Sequence, residues 1–166
     1  MMIHVMGDES NSSLTNVRDG DVQPNAVDLR VDKIFYIKPD MFEISNEHKK
    51  HRGSNGEVPV DQDGYYNLEQ GDYEVIMENI IDVGPNEAGW VITRSTLNRN
   101  GLFLTSGLYD SGYNGVMAGV LHVGVGAARI KKGTRIGQYL NFKAEALSSY
   151  DGDYGIGKEH DKKYGS

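Results

Sequence analysis

Apolar and polar side chains alternate along the stretch NAVDLRVDKIFYI. Val27, Leu29 and Val31 fall on one face, Asp28 and Arg30 on the other. A period of two is the strand period, and the run Ile34 to Ile37 continues or restarts that strand. Residues 8–21, before it, are polar and read as loop. Residues 38–64, after it, are polar and charged and read as an excursion or hairpin. There His48, Lys49, Lys50, His51 and Arg52 form a cluster, most simply a solvated charged loop, with contact to an anion the sharper alternative. Tyr65 to Gly84 gives two strands around the turn Gln70-Gly71-Asp72, and Pro85 to Gly89 marks another turn. Trp90, Val91 and Ile92 are strand-like. Thr93 to Arg99 fits a helical turn with Ser95 or Thr96 as N-cap and Gly101 as terminator. From Leu102 to Ser149, strand-length pieces alternate with glycines. No segment has the pattern of a long amphipathic helix, and there is no internal repeat.

Composition sharpens this picture. The chain holds 21 glycines in 166 residues, about twice the usual share of roughly 7%. Such punctuation cuts helices short and favours strands joined by turns. The expectation is one all-β domain over residues 1–149 with one short helix. A glycine-rich charged tail, residues 150–166, is expected to be flexible. With 17 basic and 24 acidic residues the formal charge is -7, which argues against a nucleic-acid partner. There is no cysteine, so disulfides, thiol nucleophiles and thiolate metal sites are excluded. No apolar run approaches the roughly 18 residues of a membrane span, and the start has no signal-peptide pattern. A cytoplasmic setting is expected. The 38% apolar share is low but enough for a core, and the mean hydropathy of -0.52 suggests long polar segments or a core partly shared with other subunits.

Four segments carry candidate chemistry. In residues 107–115, GLYDSGYNG, three glycines frame Asp110 and Tyr113. Such a hairpin can offer backbone groups to a planar base edge; taken alone it reads better as an ordinary hairpin with an Asp turn and a partly buried Tyr. In TRSTLNR, residues 93–99, Arg94 and Arg99 with the hydroxyls of Ser95 and Thr96 suit phosphate oxygens. As a bare motif it reads better as a capped helical turn with surface arginines. RIKKGTRIGQYL carries Arg135 and Gln138 after the basic turn Lys131-Lys132. The tail holds Gly155, Gly157 and Lys158, able to fold over a polyphosphate or to be a plain disordered end.

Taken in order, these segments resemble the trimeric dUTPase and dCTP deaminase superfamily. Asn25-Ala26-Val27-Asp28-Leu29 looks like its first motif and Arg94-Ser95-Thr96-Leu97 like its second. Gly107 to Gly115 looks like the third, the most specific, and Arg135-Ile136-Gly137-Gln138 like the fourth. The glycine-rich tail stands where the fifth lies, without its usual phenylalanine; Tyr154 or Tyr164 stands in its place. The resemblance runs from about Asn25 to the C-terminus and covers residues 34–70 poorly.

The resemblance implies a distorted jelly-roll or β-clip fold and a homotrimer with active sites between subunits. It implies Asp110 as the base that deprotonates a water and Tyr113 as the residue packing on deoxyribose. The hairpin backbone from Gly107 to Gly115 would read the pyrimidine. Arg94, Ser95, Thr96 and Gln138 would hold phosphates, with Arg99 added by analogy with the deaminases and Tyr154 and Lys158 contributed by the closing tail. Asp28 would act indirectly on a metal or support Arg135. Mg²⁺ would ride on the triphosphate through phosphate oxygens and waters. The deaminases need a glutamate on the strand after the hairpin, where this chain has Val120, and His122 is the titratable group near it. The expected function is therefore dUTP diphosphatase, giving dUMP and pyrophosphate. A dCTP deaminase or dCTP/dUTP bifunctional enzyme is the first alternative, and a non-catalytic trimeric nucleotide- or protein-binding scaffold the second.

Overall fold

The computed structural model describes residues 1–165. The strands are β1 (Met2–Ile3), β2 (Ser13–Leu14), β3 (Val27–Ile37), β4 (Glu43–Ile44), β5 (Lys49–Lys50), β6 (Ser54–Glu57), β7 (Tyr65–Leu68) and β8 (Gly71–Asp82). They continue with β9 (Glu87–Thr93), β10 (Leu102–Thr105), β11 (Asn114–Val123), β12 (Ala128–Lys131) and β13 (Arg135–Lys143). The helix α1 (Ser95–Arg99) lies between β9 and β10, and a 3₁₀ helix (Glu159–Tyr164) ends the chain. The all-β expectation holds, with strand at 46% and helix at 7%.

β3 organises the architecture. Its first half pairs antiparallel with β13, Asp28 opposite Gln138 and Arg30 opposite Arg135. Its second half pairs antiparallel with β8, Ile34 opposite Val75 and Phe35 opposite Glu74. An irregularity between Val31 and Lys33 lets one strand leave one neighbour and join another, as a bulge does. The long path runs β1-β13-β3-β8-β11-β10, with β9 on the other edge of β13. Val27, Leu29 and Val31 are fully buried, as the alternation predicts, with Ile34, Ile81, Leu121, Ile136 and Tyr139 in the same core. Asp28 is also buried, although the alternation places it on the polar face. Two arginines and a glutamine cover that face, so the strand is enclosed on both sides.

The excursion at 38–64 is the expected hairpin, β4 against β5, followed by β6 returning to β3. The turn expected at Gln70-Gly71-Asp72 is tighter, because β7 ends at Leu68 and β8 already begins at Gly71. The turn at Pro85 is shorter than expected, because β9 already begins at Glu87. The N-cap of α1 is Arg94, not Ser95 or Thr96, and it has no side-chain cap bond. Its extended backbone already pairs with β13, Arg94 N–H donating to the Ile136 carbonyl at 3.0 Å, so strand pairing fixes where the helix starts.

Residues 150–165 lie on the body in this structure, with Tyr164 and Asp161 buried. Ser166, the last residue of the expected lid, lies outside the described residues.

Candidate functional site

The first cluster forms where β3, β13 and the start of α1 meet. Asp28 is 1% exposed. Its Oδ1 accepts from Gln138 Nε2 at 3.0 Å and its Oδ2 from Arg135 Nη1 at 3.2 Å, while Arg94 Nε lies 3.4 Å from Oδ2. Strand register supplies part of this, since Asp28 and Gln138 are directly opposed. Arg94 Nη1 donates to the Arg135 carbonyl at 3.1 Å, and Arg135 Nη1 donates to the Gly20 carbonyl at 2.7 Å. One carboxylate thus orients two guanidinium groups and leaves the cluster one positive charge in surplus. Both arginines remain about a third exposed, so the surplus faces solvent, where an anion can reach it. Beside it, burial pushes the Asp21 carboxyl up, but hydrogen bonds from Arg30 and from the Arg18 amide outweigh it and hold the group below its ordinary value. Ser95 and Thr96 are exposed at the start of α1, and Arg99 is exposed at its far end.

The second cluster is the glycine-framed hairpin. Tyr109 and Gly89 exchange two backbone bonds of 2.8 Å. The loop then turns back, with Tyr113 N–H donating to the Asp110 carbonyl at 3.0 Å and Gly112 at φ +84°. A Cβ at Gly112 would also strike the Ser149 hydroxyl, so both conformation and space require glycine there. Glu87 braces the loop from below. Its carbonyl accepts the Ser111 hydroxyl at 2.5 Å, and its carboxylate accepts from Asn141 Nδ2 at 3.0 Å and Ser12 N–H at 3.1 Å. Burial pushes Glu87 up; hydrogen bonds from Asn141, the Ser12 hydroxyl, the Asn11 amide and Ser10 outweigh it and bring the carboxyl below its ordinary value.

A pocket of about 650 Å³ opens beside this hairpin. Gly107, Tyr109, Tyr113 and the β11 residues Ala118 to Val120 line one side, and Tyr150, Tyr154, His160 and Tyr164 of the C-terminal segment line the other. Tyr113 is buried, packs 5.1 Å from Tyr109 and edge-on to Tyr150, and donates its hydroxyl to the Val116 carbonyl at 2.7 Å. Burial raises its phenol above the usual range. Gly115 is buried at the start of β11, and a Cβ there would lie 2.7 Å from both Gly155 Cα and the Tyr113 hydroxyl. Asp110 is exposed and borders a neighbouring hollow of about 430 Å³ with Ser111 and residues 144–151. Leu108 and Tyr150 line both spaces. Lys158 lies outside the pocket lining and pairs at 3.9 Å with Asp151.

The structure therefore gathers Asp28, Arg94, Arg135 and Gln138 into one group. Gly107, Tyr113, Gly115 and Tyr154 form a second, with Asp110 in the neighbouring hollow and not in the pocket lining. None of the first group lines the pocket of the second. Asp28 does not fit as a metal ligand, because both of its oxygens are committed to cationic or amide donors. Among the described residues no cluster of three His, Asp or Glu side chains could hold a metal.

Sequence reasoning missed Glu74. On β8 it is the register partner of Val120, and it lines the pocket. The carboxylate comes not from the strand after the hairpin but from its neighbour, and only strand pairing brings it there. His122 lies away from the pocket lining, its ring stacked 4.6 Å from Phe103 and its Nδ1 beside Asp72.

A family model described as dCTP deaminase-like matches residues 2–143. The probable deoxyuridine 5'-triphosphate nucleotidohydrolase of Methanococcoides burtonii is 30% identical over 141 residues, 82% of each chain. That of Halobacterium salinarum is 30% identical over 142 residues, 83% of this chain and 85% of the relative. Among solved structures, the 2'-deoxycytidine 5'-triphosphate deaminase of Agrobacterium tumefaciens superposes with a TM-score of 0.59 at 17% identity over 82% of this chain. The match spans 45% of the deaminase, less than half its length. A dUTPase of Staphylococcus bacteriophage 80alpha with dUpNHpp superposes with a TM-score of 0.50 at 12% identity, covering 86% of this chain and 97% of the dUTPase. These two structures share the fold.

Proposed function

The chain belongs to the dCTP deaminase-like family, and from that premise we propose that it hydrolyses dUTP to dUMP and pyrophosphate. The observation that carries this reading is the convergence of Arg94, Arg135 and Gln138 on buried Asp28, a preorganised cationic surface for a polyphosphate. Asp28 holds the guanidinium groups at fixed angles, so the orienting cost is met before substrate arrives. Ser95 and Thr96 add hydroxyl donors beside them, and Arg99 reaches the outer phosphates. Mg²⁺, entering with the triphosphate, would supply further charge neutralisation there, and none of these side chains is assigned as its ligand.

The glycine-framed hairpin takes the nucleoside. The backbone from Gly107 to Gly115 reads the base, and the Tyr113 ring, fixed by Tyr109 and its own hydroxyl bond, supports the deoxyribose. Asp110 accepts a proton from a water that attacks the α-phosphorus in line. The bond from that phosphorus to the bridging oxygen breaks, and pyrophosphate leaves. General-base catalysis contributes about 10²–10⁴-fold; the larger part comes from charge neutralisation. Tyr154 and Lys158 approach as the C-terminal segment closes.

The arginine cluster and the hairpin pocket have no lining residue in common. We read each site as built between subunits of a homotrimer. Half-exposed Trp90 and Phe103 and the exposed Leu108 supply apolar surface for such contacts.

A second reading, dCTP as substrate, is favoured by Glu74, the carboxylate opposite Val120. Its oxygens, however, are engaged by Tyr164 and Lys163, which leaves dUTP hydrolysis the better reading. A panel of deoxynucleoside triphosphates with Mg²⁺, scored by product, separates them. Pyrophosphate with dUMP is expected. Ammonia released from dCTP would establish the second reading, and binding without turnover would leave a scaffold.

A further inference from the structure

Glu87 lies outside all the motif positions, yet its carboxylate is 1% exposed and its partners among the described residues are neutral donors. Asn11 N–H donates to Oε1 at 2.5 Å. Ser10 Oγ at 3.2 Å, Ser12 N–H at 3.1 Å, Asn141 Nδ2 at 3.0 Å and the Ser12 hydroxyl donate to Oε2. All but Asn141 come from residues 10–12. The same residues pack inside the turn between β8 and β9. Ser12 Oγ accepts from Gly84 N–H at 2.9 Å, and a Cβ at Gly84 would lie 2.6 Å from the Asn11 carbonyl carbon. Both ends of that turn hold the loop after Asp110. The Ser111 hydroxyl donates to the Glu87 carbonyl at 2.5 Å. Gly112 N–H donates to the Val83 carbonyl at 2.9 Å, and Val83 N–H donates to the Tyr113 carbonyl at 2.8 Å. Glu87, Asp110 and Ser111 line one hollow.

We propose that Glu87 is a positioning residue for the reaction, acting on Asp110 through Ser111. Its carboxylate gathers residues 10–12 into the turn, the turn pins residues 111–113, and Asp110 stands where those bonds set it. This rests on reading Asp110 as the base. The chemistry of the buried group supports the role. An apolar side chain would fill the same space without the cost of desolvating a charge. A carboxylate repays that cost only when its donors converge on it, and bonds to a charged acceptor are about twice as strong as neutral ones. Glu87 therefore draws two distant segments, residues 10–12 and β13, to one point beside the loop. Val83 and Glu87 then hold the loop from the two ends of one turn. Such precision matters for a base, since misplacement by about 1 Å can cost about 10²-fold in rate. The arginine cluster is anchored elsewhere, on Asp28 and the Gly20 carbonyl, so loss of Glu87 leaves the polyphosphate surface in place. The polar segment before β3, which carries no motif, thereby acquires a role in setting the base.

A mutant cycle in the full-length chain tests this. Glu87→Gln keeps the side chain's size and removes its charge. Ser111→Ala cuts the link to the loop and leaves the carboxylate and its donors untouched, and Ser111→Thr keeps the hydroxyl. Each is assayed for kcat and KM on dUTP, with hydrogen exchange read at Gly112 and Tyr113, whose amides bond to Val83 and Asp110, and at fully buried Leu121 as the control. Glu87→Gln and Ser111→Ala should each lower kcat about ten-fold or more while KM stays within about two-fold of native, the signature of an interaction that serves the transition state. Exchange at Gly112 and Tyr113 should quicken more than at Leu121. Ser111→Thr should restore kcat, and the double variant should be little worse than the poorer single, as for two residues acting along one route. Quickened exchange with unchanged kcat would make Glu87 a purely structural residue and overturn the proposal. Losses that multiply in the double variant would remove Ser111 as the link, and a rise in KM matching the fall in kcat/KM would place the effect on binding; either result overturns it. Exchange needs no turnover, so a native protein inactive on dUTP would refute the proposed reaction, while unchanged exchange in Glu87→Gln and Ser111→Ala would separately refute the hold on the loop.

Discussion

Replacing Asp28 with asparagine keeps the side chain's size and removes its charge. In the native protein one oxygen accepts from Gln138 at 3.0 Å, and the other faces Arg135 at 3.2 Å and Arg94 at 3.4 Å. The asparagine amide keeps one acceptor oxygen for the guanidinium groups but no negative charge, and its NH₂ then faces Gln138, which must turn its own amide to accept. Breaking a fully buried ion pair costs about 3–5 kcal/mol. Here the arginine side chains are 29% and 33% exposed and recover part of their hydration, which lowers the cost to about 2–3 kcal/mol. For a chain of this size that is a fall in Tm of roughly 4–10 °C. The cluster meanwhile gains positive charge, so KM for dUTP should not rise in step with the damage; kcat should fall, because the arginines lose their fixed orientation. Thermal melting with and without dUTP, beside steady-state kinetics, measures both. A variant melting within about one degree of the native protein with unchanged kcat would refute the idea that Asp28 organises these arginines.

Three further outcomes are expected. Asp110→Asn should still bind dUTP, measured by titration calorimetry, while losing most of kcat, about 10²-fold or more; turnover within a few-fold of native would remove Asp110 as the base. Gly115→Ala should lift the C-terminal segment, because the added methyl meets Gly155 Cα and the Tyr113 hydroxyl at 2.7 Å; unchanged exchange at residues 150–165 would contradict this. Closure should also weaken in acid. Burial first, then His160, Lys49 and Lys163, hold His51 below its ordinary value of 6.5, with Asp153 opposing. The closed form thus resists protonation, so its stability is full above pH 6.5 and is lost as pH falls through the lowered value. Glu74 and Asp161 face the same space, so the comparison is with His51→Gln, whose exchange rates, corrected for intrinsic pH dependence, should show a weaker rise.

Much of the fold was legible because its signals are local. The alternation of Val27, Leu29 and Val31 marks the central strand, and the glycine-framed motif marks the hairpin. What escaped depends on pairing between distant segments. Asp28 reads as a surface residue until β13 and α1 bring Gln138, Arg135 and Arg94 over it. Glu74 is invisible as a pocket residue until β8 pairs with β11 and sets it against Val120. The N-cap of α1 fell on Arg94 because a strand bond to Ile136 overrides the local preference for serine or threonine. The tail's composition, rich in glycine and charge, gives no hint that Tyr164 would be buried against Phe35, their rings 6.2 Å apart.

The central claim is that catalysis joins the arginine cluster of one chain to the hairpin of another. Mixed oligomers of Asp110→Asn and Arg135→Ala chains test it most directly, with each parent assayed alone. Both parents should be nearly inactive on dUTP. If each site takes its base from one chain and its arginines from a neighbour, random assembly restores both partners in about a quarter of the sites, so activity should return to roughly that fraction of native. A mixture no more active than its parents would place the two groups in one chain's site and contradict the account.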